Sequence, residues 1–151
     1  MNFVGKAFDE IAVGDTFGQT LTIDESHLSR ACGMFGDFNP LHSDAVFAAS
    51  SRFGQRILHG PMTSAAISAS VGMYFYGTAV AYLEHNCRFL SPVFAGDTLT
   101  IGWRIEELVA KPHHNGGIAT MTATCRNQRG ESVAEATGKI MLLNRSKGIP
   151  V

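Results

Sequence analysis

The sequence predicts an α+β domain in which an antiparallel β-sheet wraps around one long buried helix. Residues 57–83 contain no Asp, Glu, Lys or Arg, and the apolar part of this stretch predicts a helix over residues 61–76. The second half of the chain is β-rich, with strands predicted at residues 80–93, 98–109, 117–128 and 131–143. One apolar helix followed by an antiparallel meander is typical of α+β domains.

Composition limits the classes of protein to which the chain can belong. The 151 residues are 45% hydrophobic and 17% charged, which predicts one domain with its own core over residues 1–151. The formal net charge is -1 and no basic block is present, so we expect no nucleic-acid partner.

The cysteines and the N-terminal residues indicate a cytoplasmic protein. Cys32, Cys87 and Cys125 are widely spaced and form no Cys-x-x-Cys pair, which predicts neither a zinc site nor a disulfide framework. Thiols that stay reduced are typical of the cytoplasm. The N-terminal residues also lack an apolar signal core and carry Asp9 and Glu10.

The uncharged stretch 57–83 is not interpreted as a membrane span. It contains Gly, Pro, Ser and Thr, and its predicted helix is shorter than the roughly 20 apolar residues that a span needs. We therefore expect no membrane partner, and a helix that is buried on all sides inside the fold.

The first half of the chain predicts a strand followed by helices. A strand is predicted over residues 18–23 and a helix over residues 24–34. Residues 37–42 are expected to form a loop, after which Ser43 would cap a short helix containing residues 45–48. A single curved sheet of about five strands then leaves unpaired edges, so we expect a homodimer or a higher homo-oligomer.

Residues 36–42 read Gly-Asp-Phe-Asn-Pro-Leu-His and are the most informative segment. Helical periodicity cannot bring Asp37 and His42 together, because a helix places residues three or four positions apart on one face. A turn at Asn39-Pro40 can do so, since Pro fixes its own φ and moves the preceding residue out of the α region. The carboxylate and the imidazole are then candidates for a general acid/base pair that holds a water molecule.

Two interpretations of this pair stay open on the spacing alone. In the functional one, Asp37 and His42 face one small pocket, which the neighbouring Phe35, Phe38 and Leu41 would make partly apolar. In the structural one, Asp37 caps a loop and His42 binds a backbone carbonyl, because Asp and Asn-Pro are common in turns.

Residues 56–61 read Arg-Ile-Leu-His-Gly-Pro and predict the start of the central helix. Free backbone N–H groups in its first turn, together with the helix dipole, are suited to stabilise a developing oxyanion. Gly60 has no side chain, so a ligand can approach the backbone closely there. The alternative is a turn whose Pro61 only starts the helix. His59 is expected to position other groups rather than to catalyse.

Other motifs carry little chemistry. His113 and His114 are adjacent, but no third ligand is spaced to join them, so no metal site is expected. Cys87 has no obvious activating neighbour and is interpreted as a packing residue. The chain contains no Gly-x-Ser-x-Gly elbow, P-loop or dinucleotide fingerprint, and no cofactor is predicted.

These motifs resemble those of MaoC-like (R)-specific enoyl-CoA hydratases. The likeness rests on residues 36–42, Phe53-Gly54 and His59-Gly60, followed by residues 89–99, which read Phe-Leu-Ser-Pro-Val-Phe-Ala-Gly-Asp-Thr-Leu. It extends from about residue 8 to residue 143. The resemblance implies the hotdog fold, in which an antiparallel sheet wraps around a long central helix and two copies usually pair into a dimer.

The resemblance also implies residue roles and a reaction. Asp37 and His42 correspond to the family's catalytic dyad, and the backbone N–H of Gly60 corresponds to its oxyanion contact. We expect Asn39 and His59 to position the substrate. The implied reaction is reversible syn hydration of a trans-2-enoyl-CoA to the (R)-3-hydroxyacyl-CoA, without a metal or a redox cofactor. Coenzyme A, or an acyl-carrier arm, would be the handle of the substrate.

The sequence departs from the family at two positions beside these motifs. Phe35 stands where many relatives have Ser or Thr, which alters the predicted pocket. Pro61 stands where many have Met, and it removes the second backbone donor from the start of the helix.

Two other functions are alternatives. A hotdog thioesterase needs a carboxylate on the central helix, whereas this helix carries Ser64, Ser68 and Ser70 and no Asp or Glu. A non-catalytic subunit that only binds acyl thioesters would not need both Asp37 and His42. The hydratase is therefore the favoured interpretation.

Overall fold

The computed structural model describes residues 4–145. The regular elements of this part are β1 Thr16–Thr22, α1 Glu25–Phe35, α2 Pro40–Ser43, α3 Ala45–Ser50, α4 Gly60–Tyr74, β2 Ala79–Phe89, β3 Thr98–Lys111, β4 Gly116–Arg126 and β5 Ser132–Leu143. Short 3-10 helices lie at Phe8–Glu10 and Pro112–His114. No helix within the described range has the length and apolar character that a membrane span requires.

The strands form one antiparallel sheet in the order β1-β3-β4-β5-β2. Strands β3, β4 and β5 are consecutive neighbours, while β1 pairs with β3 and β2 pairs with β5 at the two edges. The predicted long helix is α4, and it packs against the inner face of this sheet. The α+β arrangement predicted from the sequence is therefore confirmed.

The inner face of the sheet arises from strict alternation along its strands. In β3 the inward side chains are at most 2% exposed, and these are Leu99, Ile101, Trp103 and Ile105. The residues between them face outward, as expected for a period of two residues. The same alternation in β4 confirms the strand that was predicted there.

Helix α4 is fixed to the sheet by apolar packing and by two hydrogen bonds. The indole Nε1 of Trp103 donates to the carbonyl oxygen of Ile67 at 3.0 Å, and Gln19 Nε2 donates to that of Ala66 at 3.1 Å. Trp103 and Ile67 are both fully buried. Because both acceptors lie near the middle of α4, these contacts determine its position along the sheet.

The prediction that this helix is buried on all sides is wrong for the single chain. Its buried residues lie on one face only, and these are Thr63, Ala66, Ile67, Ser70 and Val71. Ala65, Ala69, Gly72 and Met73 are exposed on the opposite side. The reason is that one five-stranded sheet covers only one side of a helix.

Several other predicted boundaries also differ from the structure. Residues 40–42, expected to belong to a loop, lie in the short helix α2, because Asn39 caps its first turn. Strand β2 ends at Phe89 rather than at residue 93, because Pro92 has no N–H and the carbonyl of Val93 accepts from Leu58 N at 2.8 Å. The residue that caps α3 is Asp44, not Ser43, since Asp44 Oδ1 accepts from two N–H groups of the first turn at 2.9 Å.

We expect Ile105→Ala to lower the free energy of unfolding by about 2–5 kcal/mol, because it leaves a cavity beside Trp103 in a core position that is 0% exposed. Denaturant unfolding followed by the fluorescence of Trp103 measures this change. Val46→Ala is the matched control, since Val46 is 84% exposed, and it should change the value by less than about 0.5 kcal/mol. Equal effects of the two substitutions would contradict the assignment of the core.

Candidate active site

Two successive turns bring the segment after α1 back toward the start of α4. Gly36 ends α1 in the left-handed region with φ 68, which allows the chain to leave the helix. Asp37 Oδ1 then accepts from the backbone N–H of Asn39 at 3.0 Å. Asn39 caps α2, where its Oδ1 accepts from Leu41 N at 3.1 Å, so the turn predicted at Asn39-Pro40 is confirmed.

The turn places the carboxylate of Asp37 and the imidazole of His42 side by side. Asp37 Oδ2 lies 3.8 Å from His42 Nε2. This distance exceeds that of a direct hydrogen bond, so the two groups face each other across a gap. The imidazole is mostly buried, with 13% of its side chain exposed, whereas the carboxylate is 52% exposed.

A backbone carbonyl determines the tautomer of the neutral His42 ring, so that the nitrogen facing Asp37 is the one without a hydrogen. His42 Nδ1 lies 2.8 Å from the carbonyl oxygen of Ile57. Because a carbonyl oxygen only accepts, Nδ1 carries the hydrogen, and Nε2 of the neutral ring is left with a lone pair. The N–H of Ile57 in turn donates to the carbonyl of Leu41 at 3.1 Å, which connects the two segments.

Both interpretations left open by the sequence are therefore partly realised. Asp37 caps a local turn through Oδ1, and His42 binds a carbonyl through Nδ1. Each residue nevertheless keeps a second polar atom, and these two atoms face each other. The structural contacts orient the pair and leave Asp37 Oδ2 and His42 Nε2 facing each other.

The expectation of a partly apolar pocket around Asp37 is wrong for the single chain. Its carboxylate is about half exposed, and the aromatic side chains of Phe35 and Phe38 are also exposed. The reason is that the end of α1 and the short helix α2 lie at the surface. The pair is backed instead by the buried ring of His59, which stacks on that of His42.

His59 supports the pair from beneath. Its ring is 1% exposed and stacks on that of His42, with ring centroids 3.7 Å apart and an interplanar angle of 23°. His59 Nε2 donates to the backbone carbonyl of Asp37 at 2.9 Å. Among the residues described, His59 Nδ1 has no hydrogen-bond partner. This residue contacts both members of the pair, as a positioning residue should.

Asp37, His42 and His59 each offer a ligand atom, and these atoms lie within 4.8 Å of one another. The geometry nevertheless disfavours a cation shared by both rings. The lone pair of an imidazole nitrogen lies in the plane of its ring, so two nearly parallel stacked rings do not direct their lone pairs at one point. The expectation that the site holds no metal stays a prediction.

The start of α4 forms the second part of the site. His59 is its N-cap, Gly60 its first residue, and Pro61 follows, as predicted. The first N–H groups of a helix have no partner within that helix. A Cβ atom at Gly60 would lie 3.0 Å from the ring of Phe89, so only glycine fits without displacing this ring.

A cleft of about 300 Å³ opens at this helix start. Phe53, Gly60, Thr63, Phe89 and Pro92 are among the residues that line it. Its walls are largely apolar, and Gly60, the first residue of α4, belongs to them. This arrangement suits a ligand that has a carbonyl group joined to a hydrocarbon chain.

Sequence reasoning missed two contributors to this site. The carbonyl of Ile57 orients His42, and a backbone group carries no signal in the residue type. The ring of Phe89 reaches Gly60 from another element, which spacing along the chain does not reveal. Cys87 behaves as predicted, because burial raises the pKa of its thiol and leaves it a poor nucleophile.

Comparison with known proteins identifies the family. A family model described as the MaoC like domain matches residues 11–125. The chain is 30% identical over 135 residues to an (R)-specific enoyl-CoA hydratase of Rhodospirillum rubrum, covering 89% of this chain and 90% of that protein. These values are sufficient to establish the family.

Solved structures agree with the fold. The unliganded R-hydratase PhaJ1 of Pseudomonas aeruginosa superposes with a TM-score of 0.82 at 32% identity, covering 92% of this chain and 86% of that one. A conserved hypothetical protein of Mycobacterium tuberculosis, which has a double hotdog fold, superposes with a TM-score of 0.84. It is 19% identical, covers 97% of this chain and 47% of that one, and supports the fold alone. The chain has the hotdog fold and belongs to the MaoC-like domain family.

Proposed function

We propose that the protein is an enzyme that catalyses reversible syn hydration of a trans-2-enoyl-CoA to the (R)-3-hydroxyacyl-CoA. The observation that carries the proposal is the pair of acceptor atoms, Asp37 Oδ2 and His42 Nε2, which face each other 3.8 Å apart. The start of α4 at Gly60 lies in the same site, because His59 caps that helix and contacts both residues. The similarity to named (R)-specific hydratases supports the same reaction.

The pair is suited to hold a water molecule as the nucleophile. Asp37 Oδ2 and His42 Nε2 are both hydrogen-bond acceptors, and a water molecule has two hydrogens to donate. A bridging water of this kind directs its oxygen lone pairs away from the protein. Those lone pairs then face the β-carbon of an enoyl group held in the cleft, and the pair accepts the proton as the C–O bond forms.

The start of α4 is suited to stabilise the charge that develops on the thioester. Attack at the β-carbon moves electrons through the double bond onto the thioester oxygen, which becomes an enolate. The N–H of Gly60 and the positive end of the helix dipole lie where this oxygen binds. Pro61 supplies no second N–H, so the helix start offers a single donor from these two residues.

The reaction finishes with a proton transfer to the α-carbon on the face that the water attacked. One O–H bond of water breaks, a C–O bond forms at the β-carbon and a C–H bond forms at the α-carbon. The proton returns from the Asp37 and His42 pair, which lies on one side of the substrate and therefore gives syn addition. The same groups acting in reverse remove water from the hydroxyacyl thioester.

A thioesterase and a non-catalytic subunit are less well supported. Helix α4 carries no Asp or Glu that would serve as the base of a hotdog thioesterase. A subunit that only binds would not need two acceptor atoms that face each other. Hydrolysis of saturated acyl-CoA would favour the first alternative over the hydratase.

We also propose that one hotdog domain is the functional fold and that two copies of it pair through β2. Within the described range, β2 pairs with β5 on one side only, so its other edge presents free backbone groups. Val80 and Leu83 on this strand and Met73 on α4 are exposed and apolar. A partner at this edge would cover them together with the uncharged outer face of α4.

We place the protein in a reducing compartment such as the cytoplasm. Cys32, Cys87 and Cys125 are all free thiols, and two of them are buried. Thiols that stay unpaired are typical of reducing compartments.

Substitution of either member of the pair tests the reaction. We expect Asp37→Asn and His42→Ala each to lower kcat for crotonyl-CoA by about 10²–10⁴, the scale for losing a general acid/base group. Loss of enoyl absorbance measures the rate. Asp24→Asn, which keeps a cap on α1, and His114→Ala, on the distant 3-10 helix, are matched controls that should retain activity. Full activity of both site variants would contradict the proposal.

Substitution of His59 tests its positioning role. His59→Leu removes the N–H that holds the Asp37 carbonyl and the ring beneath His42, so we expect kcat to fall by about 10² with a smaller change in KM. His59→Gln keeps an N–H donor and should recover part of the loss. Steady-state kinetics with crotonyl-CoA measure kcat and KM of both variants. Identical kcat values for the two would argue against a positioning hydrogen bond.

The oligomeric state tests the β2 interface. We expect a solution mass of two chains, or a multiple of two. Pairing of two β2 edges gives hydrogen-bond partners to the free backbone groups of each edge. Leu83→Asp introduces a charge at this edge and should produce a single chain. Val13→Asp, at another exposed apolar position, should leave the mass unchanged. Light scattering that gives one chain for the unmodified protein would refute the interface.

A further inference from the structure

Three polar side chains form a hydrogen-bonded chain in the groove between α4 and β2. Ser64 Oγ lies 2.8 Å from His85 Nε2, and the Tyr82 hydroxyl lies 2.9 Å from His85 Nδ1. Ser64 is on α4, whereas Tyr82 and His85 are on β2. The mechanism above uses none of these residues.

The backbone of β2 is irregular where it brings this chain together. Residues three positions apart in a regular strand point to opposite faces, so Tyr82 and His85 would be separated. The register of β2 against β5 shifts between Tyr82 and Glu84, which is a β-bulge that places both side chains on one face. Bulges of this kind commonly redirect a side chain next to a functional site.

A glycine on the neighbouring strand makes room for the hydroxyl group of Tyr82. Gly138 on β5 pairs with His85, and a Cβ atom at Gly138 would lie 2.8 Å from the Tyr82 hydroxyl oxygen. Any other residue at this position would therefore displace the hydroxyl. The bulge and the glycine both favour the same placement of one polar atom.

The hydrogen-bonded group of Ser64, His85 and Tyr82 is electrically neutral and keeps one hydroxyl hydrogen to donate. Burial lowers the pKa of His85 and raises that of Tyr82 to about 12, so both are uncharged near neutral pH. A neutral imidazole donates from one nitrogen and accepts at the other. Whichever way the ring is protonated, one of the two hydroxyl groups donates to it and the other keeps its hydrogen. Ser64 also has the Cys87 thiol as a hydrogen-bond partner, so the hydroxyl of the exposed Tyr82 is the one available to a ligand.

The hydrogen-bonded group of Ser64, His85 and Tyr82 lies one helical turn beyond the proposed thioester site. Ser64 follows Gly60 by four residues on the same face of α4, a rise of about 6 Å. An acyl chain that follows the groove meets the three residues on the order of four to six carbons beyond its carbonyl. A further cleft of about 210 Å³ continues the groove, lined among others by Ser68, Tyr82 and Ile140.

We propose that Ser64, His85 and Tyr82 form a polar subsite for the acyl chain, and that the preferred substrates carry a neutral oxygen there, as a hydroxyl or keto group. The inference rests on the proposed function only for the position of the thioester. A carboxylate is not favoured, because the ammonium of Lys139 pairs with Glu84 on the strand face opposite His85. The free hydroxyl hydrogen is the group that recognises the oxygen.

Two substrates of nearly equal size test the subsite. The first is 6-hydroxy-trans-2-hexenoyl-CoA, and the second is trans-2-heptenoyl-CoA, in which a methyl group replaces the hydroxyl. We expect kcat/KM to be about tenfold higher for the hydroxylated compound, the scale of one neutral hydrogen bond. The ratio should fall toward one in Ser64→Ala, His85→Leu and Tyr82→Phe. Ser29→Ala, which removes an exposed hydroxyl from α1, is the matched control and should keep the original ratio.

A binding measurement separates the subsite from the reaction. Calorimetry with the saturated pair, 6-hydroxyhexanoyl-CoA and heptanoyl-CoA, should give a Kd about tenfold lower for the hydroxylated compound, without any turnover. Equal Kd values, or a preference that persists in all three variants, would overturn the subsite even if crotonyl-CoA is hydrated. A Kd preference that the variants lose, in a protein that hydrates no enoyl-CoA, would support the subsite and refute the hydratase.

Discussion

The hydrogen bond from the indole of Trp103 to the carbonyl of Ile67 joins the sheet to the middle of α4, and the rest of the molecule depends on this junction. Both residues are fully buried, so the bond is shielded from water and holds the helix in one position along the sheet. The start of α4 at Gly60 is then located relative to β2, whose Phe89 ring covers it. A shift of this helix would move the proposed oxyanion contact away from the cleft.

The proposed dyad is oriented by backbone groups rather than by other side chains. The carbonyl of Ile57 holds Nδ1 of His42, and the N–H of Asn39 holds one oxygen of Asp37. His59 adds a ring beneath His42 and a hydrogen bond to the carbonyl of Asp37. Because these contacts use only one polar atom of each residue, Asp37 Oδ2 and His42 Nε2 remain available for the proposed water molecule.

One side of the single chain has features that point to a partner and to a substrate. The outer face of α4 is uncharged and exposed, and the open edge of β2 lies beside it. The groove between them contains the chain of Ser64, His85 and Tyr82. A second copy at this edge would close the groove from outside, so pairing and recognition of the acyl chain would involve the same surface.

Features that depend only on neighbouring residues follow from the order of the amino acids. The turn at Asn39-Pro40 and the start of the central helix at residues 60–61 follow from local steric rules, the strands β3 and β4 lie in β-rich runs, and each was predicted. Tertiary structure decided the contacts between distant segments: the bond of His42 to Ile57, the exposure of Asp37 and the pairing of Ser64 with His85. The bulge in β2 belongs to this second group, because only the register against β5 defines it. Side-chain spacing carries no information about such contacts, since they form only when the sheet closes around the helix.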